Sequence, residues 1–233
     1  MGFLGKAALA VWLECLPAAE EDFNRWYLEE HMAERVGLPG FLRGRRHEAF
    51  RGAPRYFAFY ETEGVEVLQT PEYNERLDNP TPWTRRVMPN VRNFTRGVYR
   101  RLDSPEAAGP HEDARTLVTL RLDPAPGREA ALRIAYREAV LPRMVQVPGF
   151  LSAALYELDA GATGGTPEER RIIGSQTMAP PFACIAEAQD AAIVDHPAWR
   201  ALFAPGGPAC GDFLRDVIEG VYQFRHGLTR PGA

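Results

Sequence analysis

Short apolar runs alternate with amphipathic stretches along the chain. Ala7–Cys15 is an almost unbroken apolar run, which is typical of a strand buried on both faces. Pro17–Arg35 follows with apolar residues at helical spacing and acidic residues in its first turns, a pattern that predicts a helix. The pair Pro39-Gly40 predicts the turn that ends this helix.

The same order of elements occurs twice. The first half continues with a predicted hairpin, helix and strand: Leu42–Phe50, Arg55–Thr62, Val65–Leu77 and Asn93–Leu102. The second half predicts strand, helix, two strands, helix and strand: Thr116–Leu122, Glu129–Val145, Phe150–Leu158, Phe182–Ala188, Pro197–Phe203 and Leu214–Arg225. This double β-α-β-β-α-β pattern indicates an α+β protein made of two tandem ferredoxin-like units.

Four short matches connect the halves and keep their order along the chain. LPGFL matches VPGFL, Glu61 matches Glu187, TPEY matches HPAW, and GVYR matches GVYQ. We interpret them as an internal repeat; the alternative is that two αβ units share common turn chemistry. We predict units at 1–103 and 115–233, a linker at 104–114, and a long hairpin insertion near 159–175.

Composition and charge exclude several classes of protein. The 233 residues are 45% hydrophobic, and 27 basic against 31 acidic residues lack the basic surplus of a duplex-binding protein. The apolar run before Glu14 is too short to cross a bilayer, so we expect no membrane partner. Three scattered cysteines favour a reducing, cytoplasmic setting. A small-molecule substrate is the expected partner, for a monomer or a homodimer.

A long segment carries a family resemblance. WYLEEHMAERVGLPGFLRGRR, followed by a hairpin, TPEY and a closing GVY strand, resembles the dimeric α+β-barrel superfamily, especially its EthD-like and antibiotic-biosynthesis-monooxygenase-like branches. The resemblance implies two ferredoxin-like sheets facing each other, here closing one barrel within one chain. Members include cofactor-free oxygenases, polyketide cyclases, lactone isomerases, heme enzymes and proteins without known activity, so the fold does not specify the reaction.

One helix breaks an apolar pattern that its counterpart keeps. With the Pro-Gly turns aligned, Glu30 and His31 match Ala139 and Val140. EthD-like proteins carry a His in this helix, and His31 is the matching position. We therefore predict one active half, with His31 as general acid or base and Glu30 or Glu34 orienting it. The alternative is a structural His beside solvated glutamates.

The strand segment RGRRHE supplies further candidates. Arg45 and His47 share one strand face and are predicted to line the pocket, with Arg45 or Arg46 balancing an anionic charge. The alternative is a charged strand at the edge of the sheet. Aromatic side chains complete the predicted substrate-binding set: Trp26, Tyr27, Tyr60 and Tyr99.

The leading hypothesis is a cofactor-independent enzyme acting on an aromatic or polyketide-like substrate. The reaction would be a cyclisation, an isomerisation, an elimination or a cofactor-free oxygenation. The second hypothesis is a heme or metal enzyme, with His31 and Glu34 at i, i+3 and His47 as a third metal ligand, or with His196 or His226 on heme. The third hypothesis is a non-catalytic ligand-binding barrel.

Overall fold

A computed structural model describes residues 2–107, 114–164 and 167–233. The strands in these ranges are β1 Ala7–Cys15, β2 Phe41–Arg51, β3 Tyr56–Thr62, β4 Val91–Asp103, β5 Thr116–Pro124, β6 Phe150–Leu158, β7 Gln176–Thr177, β8 Phe182–Ala188 and β9 Leu214–Thr229. The α-helices are α1 Glu20–Trp26, α2 Met32–Val36, α3 Pro71–Asp78, α4 Pro82–Val87, α5 Glu129–Ala135, α6 Leu141–Met144, α7 Ala160–Thr163, α8 Pro167–Ile172 and α9 Pro197–Leu202. Within the part of the chain described, no helix is both long and apolar enough to span a membrane.

Eight of the strands close into an antiparallel barrel. The first half forms the sheet β4-β1-β3-β2 and the second half forms β9-β5-β8-β6, which is the same ferredoxin-like order. The halves join along β2–β9 and along β4–β6, so the barrel has no free edge between them. The predicted architecture of two ferredoxin-like α+β units closing one barrel is confirmed.

Three packed layers follow from this closure, because most of the barrel strands, among them β1, β3, β6 and β8, are buried on both faces over most of their length. Along β1, Leu9 and Val11 face the helices of the first half, whereas Ala8, Ala10 and Trp12 face the inside of the barrel. A third apolar layer lies between the second sheet and its helices. Continuous burial explains why β1 is an almost unbroken apolar run rather than an alternating one.

The long helix of each half contains a π-helical turn. Tyr27–His31 separates α1 from α2, and Tyr136–Val140 separates α5 from α6. The two turns begin at tyrosines that the Pro-Gly alignment pairs with each other. A π turn widens the helix by one residue and changes which side chains share a face, so it shifts the face of α2 relative to α1.

The second helical region of the first half differs from its prediction. The single helix predicted over Val65–Leu77 is a 3₁₀ helix, Val65–Gln69, followed by α3, because Thr70 caps α3 and Pro71 occupies its first turn. Helix α4 was not predicted.

The predicted hairpin insertion also differs. Its described residues form α7 and α8 rather than a loop, and β7, which follows the predicted insertion, pairs with β4 of the first half. The insertion therefore packs over the first half of the protein. Residues 165 and 166 of this insertion and residues 108–113 of the predicted linker lie outside the described residues.

Candidate functional site

A narrow cavity lies between the sheet of the first half and its helices. Its volume is about 50 Å³, which is room for a few water molecules. Strands β1, β3 and β4 form its floor, and Ile172 of the insertion contributes to its wall. The other side chains that line it are Leu9, Val11, Leu13, Trp26, Tyr27, His31, Arg35, Tyr60, Tyr73, Arg76, Leu77, Pro80, Thr84, Met88, Phe94 and Arg96.

His31 is held against aromatic rings in this cavity. Its imidazole stacks on Trp26 with ring centroids 4.1 Å apart, and Tyr27 meets it edge-on at 5.0 Å. The Nδ1 atom is buried without a hydrogen-bond partner among the described residues, and the nearest carboxylate oxygen, Oε2 of Glu34, is 3.8 Å away. Of the two predicted acidic partners, Glu34 is thus the one beside His31.

The imidazole of His31 is neutral at pH 7. Burial holds its pKa well below the ordinary value of 6.5, and the positive charges of Arg35 and Arg46 lower that pKa further. Burial also raises the pKa of the Tyr60 phenol well above 10, so this hydroxyl stays protonated. The cavity therefore contains a neutral base and neutral phenols near cationic arginines.

The hydrogen bonds of Glu30 go to α4 and the residue before it. Its Oε1 accepts a hydrogen bond of 2.6 Å from the Thr81 hydroxyl, and the neighbouring Thr84 hydroxyl accepts one of 3.1 Å from Nε1 of Trp26. Glu30 thus fastens α4 to the first long helix and fixes the indole that stacks on His31. It does not line the cavity.

Arg35 lines the cavity, although sequence reasoning treated it only as a partner for the glutamates. It is 6% exposed, and its Nη1 atom has no hydrogen-bond partner among the described residues. Two signals mark it in the sequence. Arg35 follows His31 by four residues, which places both on one helix face, and its counterpart in the second half is the buried Met144.

Arg46 lies behind the cavity wall. Its guanidinium carbon is 4.4 Å from the ring centroids of both Tyr27 and Tyr56, and Nη2 donates a 2.7 Å hydrogen bond to Oδ1 of Asn24. Burial lowers the pKa of this guanidinium from its ordinary value. Arg46 therefore adds positive potential near His31 without lining the cavity.

Three predicted pocket residues lie instead inside the barrel, on the opposite face of the sheet from His31. Arg45 bridges two buried carboxylates, with Nη1 2.6 Å from Glu187 and Nη2 3.3 Å from Glu61. The Tyr99 hydroxyl donates to the Pro180 carbonyl at 3.0 Å, and His47 is fully buried beside Phe57. The edge-strand alternative is also wrong, because β2 pairs with both β3 and β9.

The structure does not bring the predicted metal ligands together. His31 and His47 lie on opposite faces of the sheet, and the described residues contain no group of three His, Cys, Asp or Glu side chains placed to hold a metal ion. In the second half, Val140 stands at the position that matches His31 and is fully buried in an apolar layer.

The other two histidines proposed for heme have other surroundings. Nδ1 of His196 accepts a hydrogen bond of 3.1 Å from the backbone N–H of Ala198, at the start of α9. His226 is in β9, where it pairs with Arg46 of β2, and burial lowers its pKa from the ordinary value.

Comparison with known proteins supports the fold. No protein-family model matches the sequence, and no curated protein matches it. Several solved structures resemble it over nearly the whole chain, among them the following three. An anthrone oxidase-like protein is 13% identical, with a TM-score of 0.62 and coverage of 98% of this chain and 95% of that one.

The other two structures have sequence identities and TM-scores close to those of the first. A putative monooxygenase from Fusobacterium nucleatum is 11% identical, with a TM-score of 0.57 and coverage of 99% of this chain and 98% of that one. A chlorite dismutase from Candidatus Nitrospira defluvii is 10% identical, with a TM-score of 0.55 and coverage of 93% and 90%. Together with the closed eight-stranded barrel, these similarities show that the chain has the dimeric α+β-barrel fold, with both ferredoxin-like units in one polypeptide.

Proposed function

We propose that this protein is an enzyme that oxygenates a small aromatic substrate by acid–base chemistry at His31, without an organic cofactor. The observation that carries the proposal is the neutral imidazole of His31, stacked on Trp26 in a cavity that only the first half equips with a base. A neutral imidazole can accept a proton at pH 7, and such a group contributes typically 10²–10⁴-fold to a rate.

The reaction class follows from the chemistry of a base beside cations. His31 would remove a proton from an activated methylene group of the substrate, and nearby arginine charge would stabilise the resulting enolate. The enolate would transfer electrons to dioxygen and form a hydroperoxide, with His31 returning the proton. Loss of water from the hydroperoxide then leaves a ketone. In sum, the methylene group and O₂ give a carbonyl group and H₂O.

The walls of the cavity agree with an aromatic ligand. Trp26, Tyr27, Tyr60 and Tyr73 surround the base, and aromatic rings prefer such surfaces. The similarity to an anthrone oxidase-like protein supports hydroxylated anthrones as the first substrates to try. Because the cavity holds only a few waters, side chains of the insertion and of α3 must move when such a ligand enters.

The test is oxygen uptake by the wild-type protein and by His31→Gln with a panel of hydroxylated anthrones. We expect the substitution to lower kcat/KM by about 10²–10⁴-fold, because it removes the base and keeps the size of the side chain. His226→Gln serves as the matched control and should keep its rate. Full activity in His31→Gln, or no oxygen uptake by the wild type with any member of the panel, would refute the proposal.

A further inference from the structure

The charge on Arg35 has no counter-ion within the described residues. Arg35 is only 6% exposed, and none of the ion pairs among the described residues includes it. Its nearest aromatic partner is Tyr73, with the guanidinium carbon 5.7 Å from the ring centroid. An unpaired charge at such a depth costs free energy that the fold does not recover.

The other buried arginines of the first half each have at least one hydrogen-bond or ion-pair partner. Arg96 donates to the Tyr73 hydroxyl and to the Thr163 carbonyl. Nε of Arg43 is 2.6 Å from Glu61, Arg45 bridges Glu61 and Glu187, and Arg46 donates to Asn24 between aromatic rings. Arg35 faces the cavity and, among the described residues, has neither a hydrogen-bond partner nor an ion-pair partner for its guanidinium. Its placement therefore has no structural explanation comparable to theirs.

We propose that Arg35 is the anion-binding residue of the site, and that the ligand is a planar aromatic molecule with one negatively charged oxygen. Phenolate, enolate and carboxylate share this chemistry. The inference rests on the proposed function for its location, but it concerns binding and is tested without turnover. The anionic oxygen accepts from Nη1 of Arg35, and the ring lies among Trp26, Tyr27 and Tyr60.

The surroundings of Arg35 favour an anion over a neutral ligand. His31 carries no charge at pH 7, and the Tyr27 and Tyr60 phenols stay protonated because burial raises the pKa of each. The charge that Arg35 brings into the cavity is thus not neutralised by the groups around it. A bound oxyanion supplies that neutralisation, whereas a neutral ligand of the same shape leaves the guanidinium unpaired.

The experiment compares anions with neutral molecules of the same shape by calorimetric titration at pH 8. Benzoate is paired with benzamide, and 4-nitrophenolate is paired with 4-nitroaniline, so the two pairs separate carboxylate from phenolate recognition. The proteins are the wild type, Arg35→Gln, Arg35→Lys and Arg86→Gln. The last removes the same charge from an exposed site on α4, where Arg86 pairs with Asp22.

We expect the wild type to bind the anion of at least one pair about tenfold or more tightly than its neutral counterpart. Arg35→Gln should reduce that ratio to near one, Arg35→Lys should keep part of it, and Arg86→Gln should keep all of it. Equal binding of anion and neutral molecule by the wild type would overturn the proposal. So would a ratio that persists in Arg35→Gln, or binding of no probe at millimolar concentration.

A stability measurement keeps the proposal testable if a variant binds poorly because it is misfolded. Removing an uncompensated buried charge should leave the melting temperature of Arg35→Gln equal to or above that of the wild type. A fall as large as that of Arg45→Gln, which strips a partner from two buried carboxylates, would show that Arg35 has a structural role instead. If His31→Gln keeps full turnover while the binding ratio depends on Arg35, only the proposed function fails.

Discussion

At the scale of single residues, the site consists of polar groups placed in a layer that is otherwise apolar. His31 and Arg35 occupy positions where the second half has Val140 and Met144, both fully buried. Replacing two apolar side chains by an imidazole and a guanidinium weakens folding unless each group finds a partner. The first half therefore gives up stability at two neighbouring positions of one helix face, which is typical of a functional site.

The buried histidines predict a loss of stability in mild acid. His31 and His47 both have folded-state pKa values well below 6.5, so the unfolded chain binds protons that the folded chain does not. Stability is full above pH 6.5 and falls below it, by up to about 1.4 kcal/mol per pH unit for each histidine. Urea unfolding at pH 7.5 and 5.5 checks this. His47→Gln should reduce the difference between the two pH values, and an unchanged difference would contradict the assignment.

Arg45 predicts a second residue-scale effect. Its guanidinium neutralises Glu61 and Glu187 inside the barrel, so Arg45→Met leaves buried carboxylates short of a partner. We expect a loss of about 3–5 kcal/mol in the free energy of unfolding. Arg51→Met, which breaks an exposed pair with Asp195, should leave stability within error. Equal effects of the two substitutions in urea titrations would argue against this role of Arg45.

The residues of the site were predictable to different degrees, for a physical reason. Comparison of the two halves finds His31, because its counterpart is apolar. Strand alternation correctly groups Arg45 with His47, but it does not say which face of a doubly buried strand meets the helices. For that reason both residues, and Tyr99, were predicted on the wrong side of the sheet.

At the scale of elements, the site depends on how closely α2 packs on β2. Gly44 allows this approach, because a Cβ at that position would lie 2.4 Å from Sδ of Met32 and 2.9 Å from the Tyr60 ring. Met32, which follows His31 in the helix, is therefore in direct contact with the sheet beneath the cavity.

Gly44→Ala should push α2 away from the sheet and move His31 with it. We expect a loss of about 1–3 kcal/mol in stability, as is usual for overpacking, together with a lower kcat/KM. Gly161→Ala is the control, because an added Cβ there meets no atom closer than 3.4 Å and the residue is in α7. If Gly44→Ala has the stability and rate of the wild type, α2 does not pack on β2 as closely as this prediction requires.

The elements differ in how far the sequence predicted them. The strands and the two long helices were predicted because each has a strong apolar pattern that repeats in the other half. The break at Thr70 and Pro71 was missed, although the pair is a cap signal, because the apolar period continues across it. Each π turn shifts the apolar period by only one residue, which is too little to recognise within a single helix. The helices of the insertion are too short to show a period at all.

At the scale of the whole molecule, the two halves share one interior. Side chains from both units fill the inside of the barrel, including Trp12 and Phe57 from the first and Ile185 and Tyr222 from the second. Neither sheet could bury its inner face without the other. The repeated order of elements was enough to predict the fold class. Which side chains of the two halves meet inside the barrel could be known only from the strand register in the structure.

This shared interior predicts a single unfolding transition. Calorimetry should give one peak for the wild type, and Phe57→Ala should move the whole peak to lower temperature rather than split it. The substitution should cost about 3–5 kcal/mol, because it removes a fully buried ring. Two separate transitions, of which Phe57→Ala shifts only one, would mean that the halves fold independently.

The dependence of kcat/KM on pH is the most direct test of the central claim, that a neutral, buried His31 is the working base. This profile reports the pKa of the essential base in the free protein. Because burial and the charges of Arg35 and Arg46 lower the pKa of His31, activity should stay level from pH 8 through 6.5 and fall only well below 6.5. A fall at or above pH 6.5, or the same profile and rate in His31→Gln, would contradict the claim.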